Sequence, residues 1–208
     1  MLGKKPKSTG LYGEFRAKTM DAKGSTADLK KRNAGREDIC VFSLKHGTGT
    51  SYVAASIANY LAQHRRGDVS LVLNDIEFAE DIATPRVNTV SWGQEADVFA
   101  KSDYIVHDIG VYTDLSANQR SALQRASIKI LLCKADGNFL TKLAAYVESG
   151  VADSQDIVFL FNELPPELER KVYDIMDFTN AVFCIPTHYA PEPNAQTVKV
   201  FNEIFKRK

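Results

Sequence analysis

This chain is short of several things whose absence narrows its chemistry. No apolar run approaches the roughly 20 residues that a helix needs to cross a bilayer. Its three cysteines, Cys40, Cys133 and Cys184, are odd in number and far apart, which argues against a disulfide framework and a zinc site. Each lies in an apolar stretch that suits a buried strand, so they read as small core residues. Four histidines, His46, His64, His107 and His188, show no metal-ligand spacing. No G-x-S-x-G occurs, so there is no nucleophile elbow. There is no internal repeat and no long low-complexity segment. The first residues, MLGKKPKSTG, are basic with no apolar stretch after them, which reads against a secretory signal. The expected compartment is therefore the cytoplasm, with any membrane association made through a partner.

The formal net charge is zero, but its distribution is uneven. Residues 1–37 carry ten basic side chains against four acidic ones. The rest of the chain is therefore net acidic. This first segment is polar and rich in Lys, Gly, Ser and Thr, and it reads as a mostly disordered arm, with a short recognition segment at Leu11–Phe15. Such an arm is either a solvated tail or a surface for nucleic acid, anionic lipid or an acidic partner. Lys4, Lys5, Lys7, Lys30, Lys31 and Arg32 are the candidate contacts.

From Asp38 the pattern changes. With 208 residues, 44% of them hydrophobic, the chain can form one domain with a substantial core. Short apolar runs at Ile39–Leu44, Val69–Leu73, Thr89–Trp92, Tyr104–His107, Lys129–Cys133, Ile157–Phe161 and Ala181–Ile185 read as strands. Between and after them, Ser51–His64, Ser116–Ala126, Asn138–Ser149, Pro166–Met176 and Gln196–Phe205 read as helices. The alternation predicts an α/β domain over residues 38–208. Its sheet should be twisted and mostly parallel, with helices on both faces. The first strand, apolar on both faces, belongs near the centre. Val53, Ile57, Ala58 and Leu61 recur at helical spacing and should pack on the sheet. Pro166 followed by Glu167 suits a helix start. Trp92 and Phe99 read as core residues.

The segment Ile39–Ser51, ICVFSLKHGTGTS, runs from a buried strand through a glycine-bearing loop into a helix. A P-loop sits in such a place, but its pattern, G-x-x-x-x-G-K-[ST], puts a lysine before the final hydroxyl residue. Here Thr50 stands where that lysine belongs. The backbone of Gly47 and Gly49 and the helix N-terminus can still approach an anion, and Ser51 can still ligate magnesium. The compact charge beside the phosphates is missing. The alternative is a strand-to-helix turn whose glycines serve packing alone.

Lys45, directly before the loop, stands where K-G-G-x-G-K-[ST] proteins carry an additional lysine. The segment resembles that deviant P-loop, with His46 in place of a glycine and Thr50 in place of the lysine. On these residues the chain resembles the MinD/ParA family of dimerising ATPases. Further landmarks fall in order: Asp75 after the second strand, Asp108 ending DYIVHDIG, Asn162 ending FLFN, and Cys184-Ile185-Pro186 late in the chain. The resemblance covers about residues 38–208, and within the family it points toward degenerate members of the TadZ/CpaE type. It implies a P-loop NTPase-like fold and a phosphate frame made of Lys45, His46, Gly47, Thr48, Gly49, Thr50 and Ser51. Asp75 and Asp108 would be the catalytic pair, magnesium would be held by Ser51 and Asp108, and Asn162 would meet the base. Lys45 would complete a partner's site in a homodimer. Aspartates also cap turns at strand ends, which is the plainer reading of Asp75 and Asp108. The cofactor is ATP or ADP with magnesium, or none. The function implied is a scaffold or regulator working through protein contacts, linked to a pilus, secretion or conjugation machinery. The alternatives are a slow ATPase in which Lys45 supplies the missing charge, and a DNA- or membrane-associated module driven by the basic arm.

Overall fold

Ile39, Cys40, Val41 and Phe42 are fully buried, so the first strand has no solvent face. A strand of this kind must be covered on both sides. The computed structural model describes residues 36–74, 81–95, 101–150, 157–162, 164–175, 181–185 and 192–206. Its seven strands are β1 (Glu37–Ser43), β2 (Val69–Leu73), β3 (Val87–Ser91), β4 (Tyr104–Val111), β5 (Ile128–Lys134), β6 (Ile157–Asn162) and β7 (Ala181–Ile185). They form one sheet in the order β3-β2-β4-β1-β5-β6-β7, and every neighbouring pair is parallel. The expected central strand is thus the fourth of seven, and the expected mostly parallel sheet is parallel throughout.

Five α-helices occur among the described residues: α1 (Thr50–His64), α2 (Ala117–Arg125), α3 (Gly137–Glu148), α4 (Pro166–Ile175) and α5 (Ala195–Phe205). A 3-10 turn, Tyr112–Asp114, precedes α2. Two apolar clusters explain their arrangement. On one face, Ile39 and Val41 meet Val53, Ile57, Ala58 and Leu61 of α1 and Phe201 and Phe205 of α5. On the other, Cys40 and Phe42 lie with Leu123 of α2, Phe139 and Leu143 of α3 and Val172 of α4. Alternate residues of one strand feed opposite cores, as the period of two requires. The helices therefore cover both faces. Cys40, Cys133 and Cys184 are all buried free thiols. Burial pushes the Cys184 thiol up to about 12 and holds the Cys40 and Cys133 thiols well above their ordinary value, so none is a ready nucleophile.

The reading of β4 as ending at His107 was too short. Asp108 and Gly110 look like strand terminators, yet pairing with β1 continues across a bulge. Val41 faces Asp108 and Phe42 faces Gly110, so Ile109 is the extra residue. Bulges of this kind re-aim side chains, and this one lies beside the candidate site.

At the opposite end of β1, Arg36 donates to Asp38 at 3.1 Å and the buried His107 ring sits 3.1 Å from the other Asp38 oxygen. Burial pushes the Asp38 carboxyl up, but the His107 hydrogen bond and the Arg36 charge together hold it below its usual range. Arg36 and Glu37 thus belong to the folded unit, and the boundary drawn at 37/38 falls inside it. Residues 1–35, with the Leu11–Phe15 segment and the lysine and arginine contacts of the arm, lie outside the described residues. Deleting 1–35 while keeping Arg36 should leave Tm within about 2 °C of the full chain, because a polar, glycine-rich arm buries little area. Thermal unfolding followed by circular dichroism tests this, and a loss of several degrees would show that the arm docks on the core.

Candidate functional site

Adjacent strands β1 and β4 send the chain to opposite faces of the sheet, β1 into α1 and β4 into α2. Their carboxyl ends must part, and parallel sheets bind ligands at such a switch point. A cleft of about 480 Å³ opens there, lined by the loop after β1, the ends of β2 and β4, Asp114 and Gln119.

The loop is built for close backbone approach. Gly47 has φ +71° and Gly49 φ +92°, both in the left-handed region where a Cβ is strained. A Cβ on Gly47 would meet nothing within 4 Å, so its missing side chain leaves open space, not a packed contact. Gly49 is the N-cap of α1 and offers no side chain to its amides. By contrast, α2, α3 and α5 are capped by Ser116, Asp136 and Asn194. The head of α1 thus has no side-chain cap at the cleft end, and the helix dipole favours an anion there. Thr48 is buried and spends its hydroxyl on the Lys45 carbonyl at 2.6 Å, so it shapes the loop and does not line the cleft.

Asp108 is the buried charge of the site. Ser51 Oγ donates to its Oδ2 at 2.6 Å, and the Gly110 amide donates to its Oδ1 at 3.2 Å. Trp92, half-buried at the edge of the core, donates Nε1 to the Asp108 carbonyl at 3.0 Å and stacks on His107 with centroids 5.4 Å apart. Burial raises the Asp108 carboxyl above its ordinary value, although Ser51, the Gly110 amide and Thr50 all pull the other way. Two oxygens of adjacent hard donors suit magnesium.

Two cationic side chains line the cleft among the described residues, Lys45 and, when protonated, His46. Lys45 Nζ lies 2.9 Å from Asp136 Oδ2, whose other oxygen caps α3 through the Phe139 amide. His46 Nε2 lies 3.0 Å from Asp114 Oδ2 in an exposed pair. Thr50 lines the cleft beside Asp108 with a neutral hydroxyl.

Known structures place this architecture. MinD from Aquifex aeolicus superposes with a TM-score of 0.58 at 15% identity, over 83% of this chain and 97% of that one. A plasmid partition protein of Borrelia burgdorferi bound to AMPPNP gives 0.58 at 14%, over 82% and 97%. MinD of Pyrococcus horikoshii, complexed with Mg-ADP, gives 0.53 at 18%, over 81% and 94%. The fold is that of the MinD and ParA ATPases. No protein-family model matches the sequence, and no curated protein matches it.

Within this MinD/ParA fold the structure brings together Lys45, His46, Gly47, Gly49, Thr50, Ser51 and Asp108. Asn162, at the end of β6, is not among the cleft-lining residues. It is buried, and its Oδ1 finds no partner among the described residues. Asp75, Phe99, Pro186 and His188 lie outside the described residues. The sequence reading missed Asn74, Asp114, Gln119 and Asp136. Asp136 was visible as a helix cap before a helical run, but its contact with Lys45 spans 91 positions.

Asp108 also sets a trade-off. Its carboxyl rises on folding from 3.8, so the folded chain holds that proton more tightly than the unfolded one. The stability it contributes is present at low pH and is lost as the pH climbs through 3.8 toward the raised folded value. At neutral pH the ionised group opposes folding. Asp108→Asn should therefore raise Tm at pH 7. Near pH 3 the difference from wild type should vanish. Paired thermal melts at the two pH values check both signs.

Proposed function

We propose that this chain is a MinD/ParA-like scaffold or regulator with a degenerate nucleotide site, binding magnesium–ADP or magnesium–ATP weakly and acting through protein contacts. The observation that carries the reading is the head of α1. Beside the buried Asp108 stand two hydroxyls, Thr50 and Ser51, and no cation among the described residues. The open glycine loop and the uncapped helix fit phosphates, and Ser51 with Asp108 fits magnesium. Bound magnesium–nucleotide would supply a shielded polyphosphate that orders the loop. Gly47, Gly49 and the first amides of α1 would hold the phosphates, Ser51 and Asp108 the metal, and Asn162 the base. Asp75 would handle water, if the likeness extends to it.

The finer assignment, a TadZ/CpaE-type role beside a pilus, secretion or conjugation machinery, rests on the pairing of this fold with a lost lysine. Homodimerisation belongs to the same proposal, as do the cytoplasmic location and the use of the basic arm on a nucleic acid or an anionic surface. Calorimetric titration of the full chain with magnesium–ADP tests the core of it. Saturable but weak binding that Ser51→Ala reduces is expected. No binding at any concentration would remove the nucleotide site from the proposal.

The slow-ATPase reading depends on Lys45. Its pair with Asp136 is about one-third exposed on each side, and such pairs are worth about 0–1 kcal/mol, so Lys45 can leave it. If Lys45 replaces the missing charge, Lys45→Ala should abolish turnover.

A further inference from the structure

Asn74 directly follows β2 at the lip of the cleft, exposed and without a charge. Its amide orientation is fixed by a chain of hydrogen bonds that begins far from it. The Ser116 amide donates to Gln119 Oε1 at 2.8 Å, within the capping box of α2. A backbone N–H can only donate, so the other Gln119 atom must be Nε2. That nitrogen donates to Asn74 Oδ1 at 3.0 Å and to the Ile109 carbonyl at 3.3 Å. With Oδ1 so engaged, Nδ2 of Asn74 is turned the other way. It lies over Gly110, 3.5 Å from where a Cβ would stand. Nδ2 has no acceptor among the described residues.

We infer that Asn74 is a ligand-contacting residue of the cleft, its Nδ2 donating to a phosphate oxygen of the nucleotide, and that Gln119 is the positioning residue that aims it. The inference rests on the nucleotide reading proposed above. It has a physical rationale. The cleft already holds the carboxylates Asp108 and Asp114, and the cations on its wall pair with carboxylates. A neutral donor adds attraction for an anion without needing a counter-charge, and a carboxylate at 74 would repel it. Gly110, with φ +77°, leaves the floor beneath the amide free of a side chain.

Calorimetry with magnesium–ADP on the full chain tests this, with Tm recorded for each variant to confirm folding. Asn74→Ala should weaken binding by about tenfold or more, the size of one hydrogen bond to a charged group. Asn74→Asp should weaken it further still, through added repulsion. Gln119→Met should weaken wild type to a similar extent as Asn74→Ala. In the Asn74→Ala background it should change affinity less than about twofold, since no amide remains to aim. Asn74→Ala within about twofold of wild type would overturn the inference. So would an equal loss from Gln119→Met in both backgrounds, which would mark Gln119 as merely structural. If wild type binds no magnesium–ADP, the nucleotide reading fails first and this inference with it.

Discussion

Replacing Thr50 with lysine should tighten binding of magnesium–ADP by about 10–100-fold. A hydrogen bond to a charged group contributes about 1.5–3 kcal/mol net, and each 1.4 kcal/mol is a factor of ten in affinity. The substitution is well placed. Thr50 is the first residue of α1, lines the cleft and sits beside the Asp108 carboxylate. A cation at a helix N-terminus opposes the dipole by about 0.3–1 kcal/mol, but Asp108 and the phosphates both offset that. The loop needs no rearrangement, since Gly47 and Gly49 already hold left-handed backbone. Calorimetry of wild type and Thr50→Lys, with melts to confirm equal folding, decides the matter. Equal affinity in two folded proteins would mean that the loop's amides do not face the phosphates and that the cleft is a packing feature of the fold.

Hydrolysis should be very slow in the wild-type chain. Removing one oriented donor from a charge-developing transition state costs about 2.7–4 kcal/mol, or 10²–10³ in turnover. Turnover should then fall far below the roughly 1–100 per second common among phosphoryl-transfer kinases. Steady-state phosphate release from ATP should not differ between wild type and Asp108→Ala. Robust release that disappears in Asp108→Ala would instead make the protein an ATPase and Lys45 the charge to examine. The affinity and turnover experiments are independent. Thr50→Lys tests the cradle's shape, and the release assay tests its chemistry.

Most of the architecture was legible because the physics that sets it is local and periodic. Cys40 and Phe42 point to one core and Ile39 and Val41 to the other, so ICVF could only be a strand covered on both sides. Val53, Ile57 and Leu61 marked the buried stripe of α1, and Pro166 opens α4 as its missing N–H allows. Val69–Leu73 and Ala181–Ile185 were placed with their observed limits. The end of β4 was not, because Asp108 and Gly110 break the pattern of a strand while the sheet carries on through a bulge.

The site divides the same way. The loop at 45–51 and the neutral Thr50 at its end could be read from spacing, and the aspartate at 108 from the resemblance. Chain order does not reveal which side chains share a surface, because contacts across the switch point join residues tens of positions apart. Ser51 meets Asp108, Lys45 meets Asp136, and Gln119 meets Asn74 only when β1, β2, β4, β5 and the helices after them lie side by side. The sequence by itself determined the parallel α/β plan and the neutral head of α1, since both follow from residue type and period. Only the tertiary structure decided the state of the cleft's charges and the aim of the Asn74 amide. Both depend on which carboxylates and amides the parted ends of β1 and β4 bring within 3 Å of one another.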